Sequence, residues 1–202
     1  MKTKFKNIII GTIFFISAFI AAEESSKKVY VIPIQDVIDL GIPGLVNRGI
    51  DLAESNNADL ILFDIDTFGG RVDAATQIKD AIASTEIETI AFINRRAISA
   101  GSLISLSCDQ IFMTEGATIG ATSVVDMSGS KQSEKSQSYM REEMAATAEK
   151  SGKNPEIARG MVDEELSFEF LIVEGDTLTV TDIEGRKEGK LITLTTELAL
   201  KY

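Results

Sequence analysis

Three apolar runs, the second and third separated by a helical pattern, restrict this chain more than any other feature. Asp59-Leu-Ile-Leu-Phe-Asp-Ile65 and Thr89-Ile-Ala-Phe-Ile-Asn94 are almost continuously apolar, as strands covered on both faces are. Lys28-Val-Tyr-Val-Ile-Pro-Ile34 reads as an earlier strand whose ladder Pro33 limits. Residues Gln35 to Asn57 carry helical spacing (Val37, Ile38, Leu40, Leu45, Val46, Ile50), with Gly41, Pro43 and Gly44 marking an entry turn. A second helix is expected from Val72 to Ala83, with Ala74, Ala75, Ile78, Ala81 and Ile82 inward. Ser102 to Cys108 is compact enough to bury on all sides, and Gln110-Ile-Phe-Met113 reads as a further short strand. This βαβαβ rhythm predicts an α/β fold in which helices wrap a parallel sheet. Right-handed crossovers then bring Gly69-Gly70 and Ser99 to the carboxyl ends of adjacent strands, where such sheets bind ligands.

Beyond Met113 the pattern loosens. Glu115 to Val125 is rich in small residues, and Asp126 to Glu134 reads as an exposed or mobile polar loop. A helix is expected from Lys135 to about Lys150, with Tyr139, Met140, Met144 and Ala148 on one side, and Pro155 opens the next one. Threonine-rich alternation at 176–182 and 190–194 predicts strands or a hairpin across Glu184-Gly185, and Thr195-Thr196 can cap a last helix from Glu197.

The chain has 202 residues, 44% of them hydrophobic, which is enough for one sizeable core and predicts a single domain over residues 27–202. Lysines in Met1-Lys-Thr-Lys-Phe-Lys6 precede an apolar run from Ile8 to Ile20 and then Ala21-Ala22, so residues 1–22 read as a signal peptide or an N-terminal anchor. Export to the periplasmic or extracytoplasmic face of a membrane follows from that reading. A net charge of -11, from 31 acidic and 20 basic residues, argues against a nucleic-acid partner. The lone Cys108 excludes an intrachain disulfide and sits where cysteine usually acts as a small hydrophobe.

The count that most narrows the chemistry is zero histidines. No Ser-His-Asp triad, Cys-His pair or histidine-based metal site can form, and no metal or other cofactor is expected. A small-residue turn at Ser99-Ala100-Gly101 can expose the serine hydroxyl and aim helix N-terminal amides at what it attacks. It can equally be a tight packing corner. The Gly69-Gly70 amides can approach a carbonyl oxygen with no Cβ in the way, or simply turn the chain. A nucleophilic serine would need a base, and lysine can serve when burial or the positive end of a helix depresses its pKa from about 10.4. Lys131 and Lys135 both stand in the polar stretch near the sheet's carboxyl edge, Lys135 where a helix opens. On spacing alone either can be an ordinary solvated lysine.

Asp64-Ile-Asp-Thr-Phe-Gly-Gly-Arg-Val-Asp-Ala-Ala75, Ala97-Ile-Ser-Ala-Gly-Ser-Leu-Ile-Ser-Leu106 and Thr118-Ile-Gly-Ala-Thr122, in that order, resemble the NfeD family. These are membrane-bound serine proteases of the ClpP/crotonase superfamily, related to signal peptide peptidase A. The resemblance runs from Val29 onward and implies a ClpP/crotonase-like sheet. It implies Ser99 as nucleophile and Lys135 as its partner, with Tyr139 one turn on. Gly69, Gly70 and Ala100 would form the oxyanion hole, and Phe68, Ile98 and Tyr139 would line the substrate. Phe68 stands where the family usually has proline, and the proline expected after the Ile-Gly-Ala motif is absent at Thr122-Ser123. The implied activity is a Ser-Lys serine endopeptidase acting on hydrophobic segments of membrane-associated, stomatin-like proteins, in a chain that self-associates as a dimer or larger homo-oligomer. Longer members continue into membrane helices. Two rivals remain: an inactive scaffold that binds stomatin-like partners, and a crotonase-type acyl-thioester enzyme.

Overall fold

A computed structural model describes residues 26–202 apart from 127, 174 and 188, so the expected signal or anchor segment lies outside the described residues. The expected α/β architecture is present. One sheet carries β1 (Val29–Ile38), β2 (Leu60–Gly70), β3 (Thr89–Ile98), β4 (Gln110–Met113), β5 (Thr118–Gly120) and β8 (Thr193–Thr195), in the order β1-β2-β3-β5-β8. Both β4 and β5 run parallel to β3, β4 beside Ile90–Ile93 and β5 beside Arg96–Ile98. Only β8 is antiparallel.

Helices α1 (Ile42–Ser55), α2 (Val72–Ser84), α3 (Ala100–Ser107) and α4 (Glu134–Lys150) follow, then α5 (Pro155–Gly160) and α6 (Thr196–Lys201). The core is aliphatic: Ile34, Ile61, Phe63, Ile65 and Ile93 from the sheet meet Ile78 of α2, Leu103 and Ile104 of α3, and Met144 of α4. Helix α3 is sunk into it, buried from Ala100 through Leu106. A helix covered on all sides cannot be amphipathic, so its run of small and apolar residues with no charged one is the sequence mark of its position.

Several boundaries depart from expectation. Residues 35–38 extend β1 instead of opening a helix, because a bulge at Asp36 (φ 60°) lets Val37 and Ile38 pair with Gly69 and Gly70. Arg95 and Arg96 belong to β3, not to a turn after it. The hairpin expected across Glu184-Gly185 is not formed: those residues lie in a 3-10 turn, β7 (Asp176–Thr179) pairs with β6 (Phe170–Val173), and β8 joins the main sheet. Each of these threonine-rich segments alternates well enough to be a strand, and which neighbour it meets is settled by long-range packing. The stretch after Asp126 is exposed as expected; in it the Asp126 carboxylate accepts from the Ser128 and Ser130 amides, and Val125 bridges Lys131.

Candidate active site

Strands β2 and β3 lie side by side and both end at the same edge, so Gly69-Gly70 and Ser99 meet there. Ser99 is the N-cap of α3 with φ 56° and ψ -119°, a conformation that L-residues avoid. Four hydrogen bonds hold it. The Ser99 N–H donates to Gly120 O at 3.0 Å, and the Ser102 N–H donates back to Ser99 O at 2.9 Å. The buried Ser102 hydroxyl donates to Ala97 O at 2.7 Å and accepts from the Gly120 N–H at 2.9 Å. The strained corner is therefore clamped between the end of β3 and the end of β5.

Gly69 presses against the serine. Its φ is +106°, and a Cβ there would lie 2.6 Å from Ser99 Cβ and 3.1 Å from Ser99 Oγ. Only glycine fits that turn and that approach. The Gly69 N–H, however, donates to Thr67 Oγ1 at 2.9 Å, a short side-chain turn that spends this amide. Thr67, 1% exposed, also donates its hydroxyl to Asp36 O, and its methyl fills the space that a Cβ on Gly101 would need. The Arg71 N–H goes to Ile38 O at 2.8 Å on β1. Gly70 is exposed and lies so close to β1 that a Cβ there would sit 2.2 Å from Ile38 O, so this position too is open only to glycine. Ala100, first residue of α3, carries one of the N–H groups that a helix start leaves without an intrahelical partner.

Around this corner the other candidate residues divide into two groups. Phe68 is 72% exposed and carries the Arg96 guanidinium 4.3 Å from its ring centre. Phe68 and Ile98 line a shallow cavity with Arg95, Arg96 and Glu115. Asp66 pairs with both arginines, at 2.7 Å to Arg95 and 3.3 Å to Arg96. On the other side Tyr139, 53% exposed, lines a second concavity with Arg71, Val72 and Thr76 at the start of α2. Tyr139 was expected beside Met140 on the inward face of α4, but the buried side is formed by Gln137, Met140, Met144 and Ala148. Lys135 is exposed at the second position of α4, and no ion pair or hydrogen bond engages its ammonium among the described residues. It shares a helix face with Tyr139, four residues on. Lys131 is bound differently: its ammonium pairs with Glu164 at 2.7 Å, and that hydrogen bond raises its pKa. A held, charged lysine is a poor base.

Three further residues hold the surroundings of this corner through buried polar groups. Thr67 carried the signal of a hydroxyl just before two glycines, and Ser102 that of a polar group inside an apolar helix. Gln137 carried the third, a polar residue on an otherwise apolar helical stripe. In each case a buried polar atom must find a partner, which marks it as holding something.

The NfeD1b N-terminal domain family model matches residues 28–202. Among curated proteins, the chain is 36% identical over 160 residues to the membrane protein NfeD1b of Bacillus subtilis, covering 79% of this chain and 37% of that protein. It is 31% identical over 172 residues to the membrane-bound protease PH1510 of Pyrococcus horikoshii, covering 81% of this chain and 38% of that one. The chain thus spans under two fifths of these relatives' length. Among solved structures it resembles a serine-to-alanine mutant of the 1510-N membrane-bound stomatin-specific protease, at TM-score 0.68 and 28% identity over 87% of this chain and 76% of that one. A lysine-to-alanine mutant of the same protease, in complex with a substrate peptide, matches at TM-score 0.70 and 27% identity over 88% and 73%. The architecture is that of this ClpP-like protease. With the family model matching nearly every described residue, the chain belongs to the NfeD1b N-terminal domain family.

Proposed function

We propose that this domain is a serine endopeptidase in which Ser99 is the nucleophile and Lys135 the base. The observation that carries the reading is the Ser99 corner itself. A non-glycine residue held at φ 56°, with glycine against its side chain and the N-terminus of a buried helix directly behind it, supports a serine hydroxyl that works beside helix-start amides. In the proposed mechanism Lys135 takes the hydroxyl proton as Ser99 Oγ attacks the scissile carbonyl. The Gly70 and Ala100 N–H groups hold the oxyanion, and each such donor typically lowers the barrier by about 2.7–4 kcal/mol. Lys135 then protonates the leaving amine and activates the water that hydrolyses the acyl-enzyme. Gly69 serves by its shape, since its own amide is held by Thr67.

Support for lysine comes from four sides. The chain contains no histidine, Lys131 is tied to Glu164, and Lys135 shares a face with Tyr139, which reaches the concavity beginning just after Gly70. The related protease was made as serine and lysine mutants, the latter holding a substrate peptide. The substrate we propose is a hydrophobic segment of a stomatin-like membrane protein, met at the extracytoplasmic face of a membrane. The name of the related protease and the exposed Phe68 and Tyr139 walls support it. Fluorophosphonate labelling and cleavage of an apolar quenched peptide, compared in wild type, Ser99→Ala and Lys135→Ala, test the dyad. Labelling should vanish in Ser99→Ala, and turnover should fall about 10²–10⁴-fold in Lys135→Ala, the usual worth of general-base catalysis. Equal activity in all three proteins would refute it.

A further inference from the structure

Gln137 is the one polar residue on the buried side of α4, 2% exposed and in line with Met140, Met144 and Ala148. An apolar residue would extend that stripe at no desolvation cost, so its amide is there for its partners. Both ends of the amide grip Val124, and its Nε2 also reaches Gln132 O at 3.4 Å. The Val124 N–H donates to Gln137 Oε1 at 3.0 Å, and Gln137 Nε2 donates to Val124 O at 2.6 Å. This two-point grip copies the pairing of one strand residue with another, and so fixes distance and rotation together.

What it grips leads directly to the serine. Val124 lies four residues after Gly120, whose carbonyl receives the Ser99 N–H and whose amide is held by Ser102. Across the helix the grip sets the opposite face, since residues 135 and 139 lie on the side away from 137. That face carries Lys135, and Tyr139 on it reaches the concavity behind Gly70. Without the amide pair, the first turns of α4 are held by Arg141, which pairs with Glu134 at 2.8 Å and Asp163 at 2.7 Å. Ion pairs on long side chains restrict rotation far less than a buried two-point amide pair.

We propose that Gln137 is a positioning residue for the base: it locks the first turn of α4 to the segment that follows β5, the strand whose end anchors Ser99, and thereby sets where Lys135 stands relative to the nucleophile. This rests on the Ser99–Lys135 reading above. A displacement of about 1 Å in such a pair can cost 10²-fold in rate. The test uses the chain with Gln137→Met, which keeps length and suits the stripe, and Gln137→Glu, which keeps the acceptor for the Val124 N–H. Ala148→Gly, lower on the same helix, is the control for lost stability, and Lys135→Ala is the control for the base. With an apolar quenched peptide, Gln137→Met should lower kcat at least 10-fold with KM within about twofold. Gln137→Glu should fall between it and wild type, and Ala148→Gly should keep kcat. Wild-type kcat in Gln137→Met overturns the proposal, as does an equal loss in Gln137→Met and Ala148→Gly, which would mark stability alone. Full activity in Lys135→Ala would instead overturn the base assignment, whatever the Gln137 variants do. If Gln137→Met fails to fold, Gln137→Glu against Ala148→Gly decides the question on the same criteria.

Discussion

Gly69 tolerates no side chain, for two reasons that add. Its φ of +106° is strained for any L-residue, and a Cβ would meet Ser99 Cβ at 2.6 Å and Ile98 O at 3.0 Å. Gly69→Ala should therefore lower stability by about 1–3 kcal/mol and abolish serine labelling, read by thermal melting and fluorophosphonate incorporation. Thr67 offers a finer probe. Thr67→Val keeps the methyl against Gly101 but strips the bonds to Asp36 O and the Gly69 N–H, so about 1–3 kcal/mol of denaturant stability should be lost. Activity should fall further than that loss explains, because the turn presenting Gly70 is no longer tied to β1. Cys108 behaves as the sequence led one to expect, as a buried hydrophobe, and burial pushes its thiol up to about 12. The native chain should thus leave Cys108 unmodified by thiol reagents at about pH 8. An unfolded chain ionises the same thiol near its ordinary pKa of about 8.5, so native stability should fall as pH rises from there toward 12, by up to about 1.4 kcal/mol per pH unit. Denaturant curves at several alkaline pH values should show that slope reduced in Cys108→Ala.

Helix α3 is short and sunk in the core, and its two ends are tied by different means. At its start the strained Ser99 is clamped through Ser102; at its end Lys153 donates to Cys108 O at 2.6 Å and Asp109 O at 3.3 Å. A lysine suits a helix C-terminus, whose carbonyls carry partial negative charge. Burial depresses the Lys153 pKa, yet this lysine serves the far end of the helix from Ser99 and is a structural cap. Lys153→Met should cost about 1.5–3 kcal/mol by chemical denaturation, the range for hydrogen bonds to charged groups, while leaving KM unchanged.

The distal segments complete the site from outside. Ile192, fully buried, precedes β8, and its carbonyl accepts from the Ala121 N–H at 3.0 Å just beyond the residue that holds Ser99. Ile192→Ala should destabilise the domain by about 2–5 kcal/mol and lower labelling of Ser99 in the fraction that stays folded, measured together by melting and labelling. The antiparallel partner strand of β5 thus lies more than seventy residues away in the chain. No helix among the described residues is long and apolar enough to cross a membrane. Two exposed walls, Phe68 with Arg96 and Tyr139 with Val72, flank the corner on either side.

The strands β2 and β3, the helix α2 and the buried α3 were legible in the amino acids alone, because burial on one stripe or on both faces leaves a period that local sequence must obey. So were the meeting of Gly69-Gly70 with Ser99 and the exclusion of histidine chemistry, which follow from crossover handedness and from composition. The amide spent at Gly69, the pairing of β8 with β5, the bonds of Asp126 to the Ser128 and Ser130 amides and the grip of Gln137 on Val124 were not. Each depends on which distant groups are brought within hydrogen-bonding reach, and a buried donor or acceptor announces in sequence that it needs a partner without naming it. Periodicity records which side of an element is covered; only the folded chain decides by what.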